Sequence, residues 1–236
     1  MSLLETVMSL DFTPFWISFK LSFITTVILF FIALPISWWL SQTKNPIKPF
    51  VEAITTLPLV LPPTVLGFYI LVAFSPNISP IGIFLEQTFS IRLVFNFTAL
   101  IIASCIYSLP FMVQPLQSGF ENLNKNMLEA SYISGKSVFV TLFRVALPNI
   151  VPSLLTALII TFAHTMGEFG VVLLVGGSIE GDTRVASIAI YEAFESSNFK
   201  LAHVYSGIMI LMSFAVLLTV YVFNRKQRRL KQGFLP

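Results

Sequence analysis

Five long apolar stretches, at 15–40, 53–74, 93–113, 150–175 and 201–223, are separated by shorter polar segments. Each reaches the roughly 20 residues that a helix needs to cross a hydrocarbon core about 30 Å thick. None alternates with the period of two that marks a strand of a membrane barrel. The pattern predicts an all-α integral membrane protein with about five transmembrane helices, forming one membrane domain over 1–236. One segment departs from it. Between Phe120 and Phe143, Glu121, Asn122, Asn124, Lys125, Asn126 and Glu129 are interleaved with Met127, Leu128, Tyr132, Ile133, Val138 and Phe139. This is an amphipathic helical pattern too polar to cross, and it predicts a surface helix within a loop at 120–148.

Charge gives the stretches a direction. Lys44, Lys48, Lys125, Lys136, Arg144, Arg225, Lys226, Arg228, Arg229 and Lys231 all fall on one side if the five stretches cross in turn. The other side receives only Lys20, Arg92, Arg184 and Lys200, together with Glu180, Asp182, Glu192 and Glu195. Positive loops stay in the cytoplasm, so the N-terminus is expected outside and the C-terminus inside. The residues before the first stretch carry Glu5 and Asp11 and no Lys or Arg, the reverse of a signal peptide, and 15–40 is expected to remain as a span.

Composition narrows the function classes. Only 11% of the 236 residues are charged and 56% are hydrophobic, against about 25% charged in a soluble domain. A net charge of +3, spread over short loops, is no footprint for nucleic acid. The single Cys105 permits no intramolecular disulfide, and His164 and His203 are the only histidines. No catalytic constellation and no metal site is expected from them. The run Ala130–Ser137 resembles a loosened phosphate-binding loop. It follows polar helical residues rather than a buried strand, so nucleotide is expected to bind elsewhere.

Some positions inside the apolar stretches are costly. Pro58, Pro62 and Pro63 each delete a helix hydrogen bond. Such a break must be buried in protein or face water. That points to a pore-lining helix at Pro62, Pro63 and Thr64, with a helix starting at Pro63 after a re-entrant cytoplasmic approach as the other reading. Glu168 is the one acidic residue deep in a stretch, and an intramembrane charge is a functional candidate. His164 stands four residues earlier and predicts a structural pair on one helix face. Gly167 and Gly170 beside it permit close packing or a bend, which suits a gate. Lys20 is expected to snorkel to the outer headgroups and His203 to lie at the outer interface.

The loop at 120–148 carries a more specific pattern. Glu129, Ala130 and Ser131, then Gly135, then Val145, Leu147 and Pro148 follow the spacing E-A-A-x3-G-x9-I-x-L-P, with Ser131 for Ala and Val145 for Ile. In this the chain resembles the permease subunits of ABC importers. The resemblance implies a type I importer architecture in which Glu129–Gly135 form a coupling helix pressed into a cleft of a separate ATPase, with Ala130 and Ser131 allowing close approach. Leu57–Gly67, Gly167–Gly170 and Gly181–Arg184 extend it toward the molybdate/tungstate branch. Sulfate permeases share the glycine-glutamate-aromatic-glycine element and are the alternative. An ATP-independent transporter or channel is a third reading, without inverted repeats to support it.

The resemblance further implies a homodimer in a bacterial or archaeal inner membrane, embedded in lipid. Two ABC ATPase subunits inside would carry the ATP and Mg, with no cofactor in this chain and no nucleic acid among the partners. An oxyanion-binding protein would dock outside, with Arg184 as a docking candidate or as a partner of a nearby carboxylate. For an anionic substrate a bare Glu168 carboxylate would be repulsive, so it is expected to be neutralised by a proton or a partner. Thr64, Gln114, Gln117 and Ser118 are the hydroxyls and amides expected to suit a passing oxyanion.

Overall fold

The computed structural model describes residues 10–232, and of Val220 and residues 223–232 the backbone alone. Glu5 and the side chains of the basic cluster from Arg225 to Lys231, on which part of the orientation rests, lie outside that description. Every regular element among the described residues is helical. Helix α1 (Thr13–Gln42) is 30 residues long, about 45 Å at 1.5 Å per residue, and continues through Pro35. It packs most extensively on α5 (Phe97–Glu121), which Asn96 caps by accepting from the Ala99 amide. The last helix, α12 (Phe199–Gln232), brings an apolar stretch through Thr219. These three helices are each long and apolar enough to span a membrane alone.

The remaining spans are bent. Helix α2 (Lys48–Val60) and helix α3 (Pro63–Phe74) meet at 110° across Leu61 and Pro62. The break falls at Pro62 and Pro63 because neither ring nitrogen has a hydrogen to donate back. A helix does begin at Pro63, as the second sequence reading has it, yet the residues before it are helical too, and Pro58 sits inside α2 without ending it. Helix α9 (Val151–Met166) is joined at 82° to the segment Val138–Asn149. With each bent pair as one span, the described residues hold up to five.

The stretch 150–175, expected as one span, is broken a second time. Helix α9 stops at Met166, Gly167 caps it, and the short α10 (Gly170–Gly176) resumes after Glu168 and Phe169. Two further helices have no counterpart in the sequence reading. Helix α4 (Pro80–Phe89) starts on the Ser79 hydroxyl, which accepts from the Ile81 amide. Helix α11 (Ala186–Glu195) starts on α1, where Ser18 Oγ accepts from the Ala186 amide at 2.8 Å. That cap comes from 168 residues away, so no local pattern could reveal it.

The interior is built from small hydroxyl residues as well as apolar ones. Ser18, Ser22, Thr25, Thr26 and Ser37 of α1 and Ser104 and Ser108 of α5 are buried. Small side chains let membrane helices approach closely, where water gives no hydrophobic drive. Several hydroxyls bond backbone carbonyls, among them Ser22 to Ser18, Thr26 to Ser22, and Ser37 across to Val113. Lys20 lies at the exposed surface with Nζ 4.5 Å above the Phe97 ring. Only 6% of the apolar stretch of α12 is buried, leaving Ile210, Leu211, Phe214 and Leu218 bare.

Candidate functional site

Two regions gather the residues that the sequence singles out. The first is the loop between α5 and α9. Asn124 caps α6 (Lys125–Ile133) by accepting from the Asn126 amide. The helix closes with Gly135 at φ +74°, where the Gly135 amide donates to Tyr132 and the Lys136 amide to Ser131. This is a Schellman closure, and it places glycine where a Cβ is disfavoured. After it comes the one-turn helix α7 (Val138–Thr141), capped by Ser137.

Helical spacing sorts this loop into two faces. Leu128 and Ser131, three apart, are buried, and Ser131 Oγ is 2.9 Å from Thr141 Oγ1. Ser131 therefore ties α6 to α7 and does not face a partner, which corrects the expectation from its motif position. Glu129 and Ala130 are exposed. Beside them stands an apolar face in which Ile133 is 87% and Phe139 69% exposed, with Tyr132 and Val138 also out.

The motif's last residues stand at the root of the span. Val145 lies in a π-turn over Leu142–Ala146, and Leu147, Pro148 and Asn149 form the short α8. The Leu147 amide reaches back five residues to Leu142, and Asn149 donates its side-chain amide to the Val145 carbonyl. Pro148 has no hydrogen to give, so the wider turn and the Asn149 amide supply part of what a regular helix would.

The second region lies where the two broken spans meet. Half-helices α3 and α10 pack so closely that a Cβ on Gly170 would stand 2.9 Å from the Pro63 Cβ, and one on Gly67 3.1 Å from the Val171 Cα. Pro63, Thr64, Tyr107, Ala163, His164 and Gly167–Gly170 line a cavity of about 570 Å³. Five of the six positions expected at a pore or gate, Pro63, Thr64, Gly167, Glu168 and Gly170, thus share one wall, and Pro62 sits at the adjoining bend.

The expected pair of His164 and Glu168 is not formed. Because α9 ends at Met166, the two no longer stand one turn apart on a helix. His164 Nδ1 lies 3.0 Å from Ser108 Oγ, which is 2.9 Å from Thr165 Oγ1, and the ring stacks on Phe111 with centroids 3.9 Å apart. Glu168 is buried, and neither carboxylate oxygen has a hydrogen-bond partner among the described residues. Ser108, Tyr107 and Phe111 were missed from the sequence. Their trace there is faint: Ser104 and Ser108, one turn apart in an otherwise apolar run.

Gln114 and Gln117 belong to neither region. Gln114 reaches Thr56, while Gln117 bonds Glu52 at 2.7 Å and Glu121 at 3.0 Å, and Lys48 is 3.2 Å from Glu121. They join α5 to α2 at one end of the bundle. His203 lines a second cavity, with Tyr191, Phe194 and Phe199.

Arg184 is engaged by its own loop and by the helix that follows it, α11. Its Nε donates to Glu192 at 2.7 Å and its Nη1 to Glu180 at 3.3 Å, and Asp182 is not its partner. Thr183 staples the same loop, accepting from the Ile179 amide and donating to the Gly176 carbonyl. The geometry favours the local reading of Arg184 over a docking role. Arg184→Ala is expected to lower unfolding stability in detergent by about 1 kcal/mol, with capture by an oxyanion-binding protein unchanged. Lost capture at unchanged stability would restore the docking role.

A bundle with two broken spans about a shared cavity, and a short helical element held out at one end, has the make-up of a membrane permease. Residues 30–235 match the family model "Binding-protein-dependent transport system inner membrane component", and the chain belongs to that family. It is a multi-pass inner-membrane transport component. The chain is 42% identical over 223 residues to the molybdenum transport permease ModB of Azotobacter vinelandii, covering 94% of this chain and 96% of the relative. It is 33% identical over 206 residues to a putative molybdenum transport permease, YvgM, of Bacillus subtilis, covering 87% and 90%. A probable sulfate permease of Zygnema circumcarinatum matches less closely than either, at 29% over 217 residues, covering 89% and 74%. Among solved structures, a bacterial ABC transporter for alginate import superposes with a TM-score of 0.79 at 16% identity, covering 95% of this chain and 82% of that one. That likeness supports a type I importer fold.

Proposed function

We propose that this chain is the permease subunit of an ATP-driven importer whose substrate is an oxyanion, molybdate or tungstate. The observation that carries the ATP-driven part is the folded loop of α6 and α7, whose Tyr132, Ile133, Val138 and Phe139 form an apolar face with no cover among the described residues. In such a reading that face seats in a separate ATPase, which holds the ATP and Mg. The two molybdenum permeases among the relatives support the choice of oxyanion.

The bare face of α12 and the small number of spans support a homodimer, since five helices enclose a poor pathway. Lysine and arginine placement supports an N-terminus outside and a C-terminus inside, which would put the α6–α7 loop and the two ATPases it meets on the cytoplasmic side and a binding protein on the other. Vesicles holding this chain with its ATPase, supplied with binding protein outside and ATP inside, are expected to accumulate molybdate. Tungstate should compete and sulfate should not. Uptake that ignores ATP would sink the importer reading, and sulfate competing as well as tungstate would place the chain with the sulfate carriers.

A further inference from the structure

Between α9 and α10 the backbone of Gly167, Glu168 and Phe169 forms a thin wall. Gly167 and Phe169 line both the 570 Å³ cavity and a second, largely apolar one of about 670 Å³ whose lining includes Tyr191, Phe194, Phe199, His203 and Met209, so the segment lies between the two. Glu168 sits in the middle of this wall, 6% exposed, with both oxygens sealed and without a hydrogen-bond partner among the described residues. Its main chain, by contrast, is held: Ser187 of α11 donates to the Glu168 carbonyl.

Neither cavity has a lysine, an arginine or a second carboxylate in its lining. The polar groups that line the 570 Å³ cavity with Glu168 are Thr64 from α3, Tyr107 from α5 and His164 from α9, beside Gly170 of α10. His164 is taken up by Ser108 and the Phe111 ring. An ionised carboxylate here would have nothing to offset its lost hydration, whereas a carboxylic acid is tolerated. A buried polar group with no partner calls for a reason, because an apolar residue of the same size would pack there at less cost.

We infer that Glu168 is a substrate-contacting residue that works as a neutral acid, its O–H donating a hydrogen bond to the oxyanion as the wall parts. This rests on the proposed function. A fully ionised tetrahedral oxyanion offers only acceptors, so it needs donors, and the Thr64 and Tyr107 hydroxyls are the neighbouring ones. Neutral donors attract such an ion without holding it, which suits a pathway that must release what it admits. A carboxylate would repel it.

The test compares Glu168→Gln with Glu168→Met in the complete transporter, with ATPase and binding protein present. The two side chains are similar in size, and only the first donates. Gln is expected to keep molybdate uptake within about threefold of the parent, while Met loses about tenfold or more. Both should extract as assembled complexes. Glu168→Leu is a second apolar variant and should follow Met, so the comparison stands if Met fails to assemble. Uptake by Met or Leu equal to Gln would make Glu168 a packing residue. Gln falling as far as Met would show that a carboxylate is required. Either result overturns the inference. Failure of the underlying reading looks different, since the parent protein itself would then show no ATP-dependent molybdate uptake.

Discussion

Gly135→Val is expected to abolish coupling: molybdate uptake and substrate-stimulated ATP hydrolysis fall together, each by about tenfold or more, while the protein still inserts. The reason is conformational. Nothing lies within 4 Å of where a Cβ on Gly135 would stand, so a side chain there has room within this chain. The backbone, however, is left-handed at φ +74°, which costs an L-residue roughly 1–2 kcal/mol and a β-branched one more. Relief of that strain would undo the two closing hydrogen bonds to Tyr132 and Ser131, and with them the angle at which α6 and α7 present Ile133 and Phe139. A tenfold loss corresponds to about 1.4 kcal/mol, within reach of the strain alone. Gly135→Asn separates the two causes. Asparagine adopts the left-handed conformation readily, so it should retain most transport if backbone geometry is what matters. Full uptake by the valine protein, still holding its ATPase, would show that this loop does not transmit force.

Gly170→Ala is the second large effect. Here the conformation is ordinary and space is the constraint, since the new Cβ would meet the Pro63 Cβ at 2.9 Å. Pro63 is a ring at the start of a helix and cannot swing aside as a long side chain would. The half-helices α3 and α10 must therefore separate by several tenths of an ångström, at a cost of roughly 1–3 kcal/mol. The expected result is a lower thermal midpoint in detergent together with reduced uptake, because the same contact forms the wall of the Glu168 cavity. Gly67→Ala, whose Cβ would stand 3.1 Å from Val171 Cα and Leu174 Cδ1, should be milder. An unchanged midpoint and normal uptake in Gly170→Ala would show that the close approach is dispensable.

The sequence by itself determined the class of fold and the address of the α6–α7 loop. Apolar stretches long enough to cross a bilayer leave helices as the only choice here, since lipid offers the backbone no other partner. Pro62 and Pro63 announce a break through chemistry that is local, a missing N–H, and the loop motif from Glu129 to Pro148 announces itself through spacing. Gly135 is legible for the same kind of reason, because its demand is on its own backbone.

What only the tertiary structure decided depends on residues far apart in the chain. The break after Met166 carries no proline, and it separates Glu168 from His164, whose spacing reads as a helical pair. Ser131 looks like a small contact residue until Thr141 is seen beside it, and Arg184 stands open between docking and a nearby carboxylate until Glu180 and Glu192 are seen beside it. Helix α11 begins on a hydroxyl of α1, and the Glu168 cavity is walled by four helices. Periodicity reports what one segment needs from its surroundings. It does not report which distant side chain supplies it, and both the wall at Gly167–Phe169 and the sealed carboxyl within it are made of such meetings.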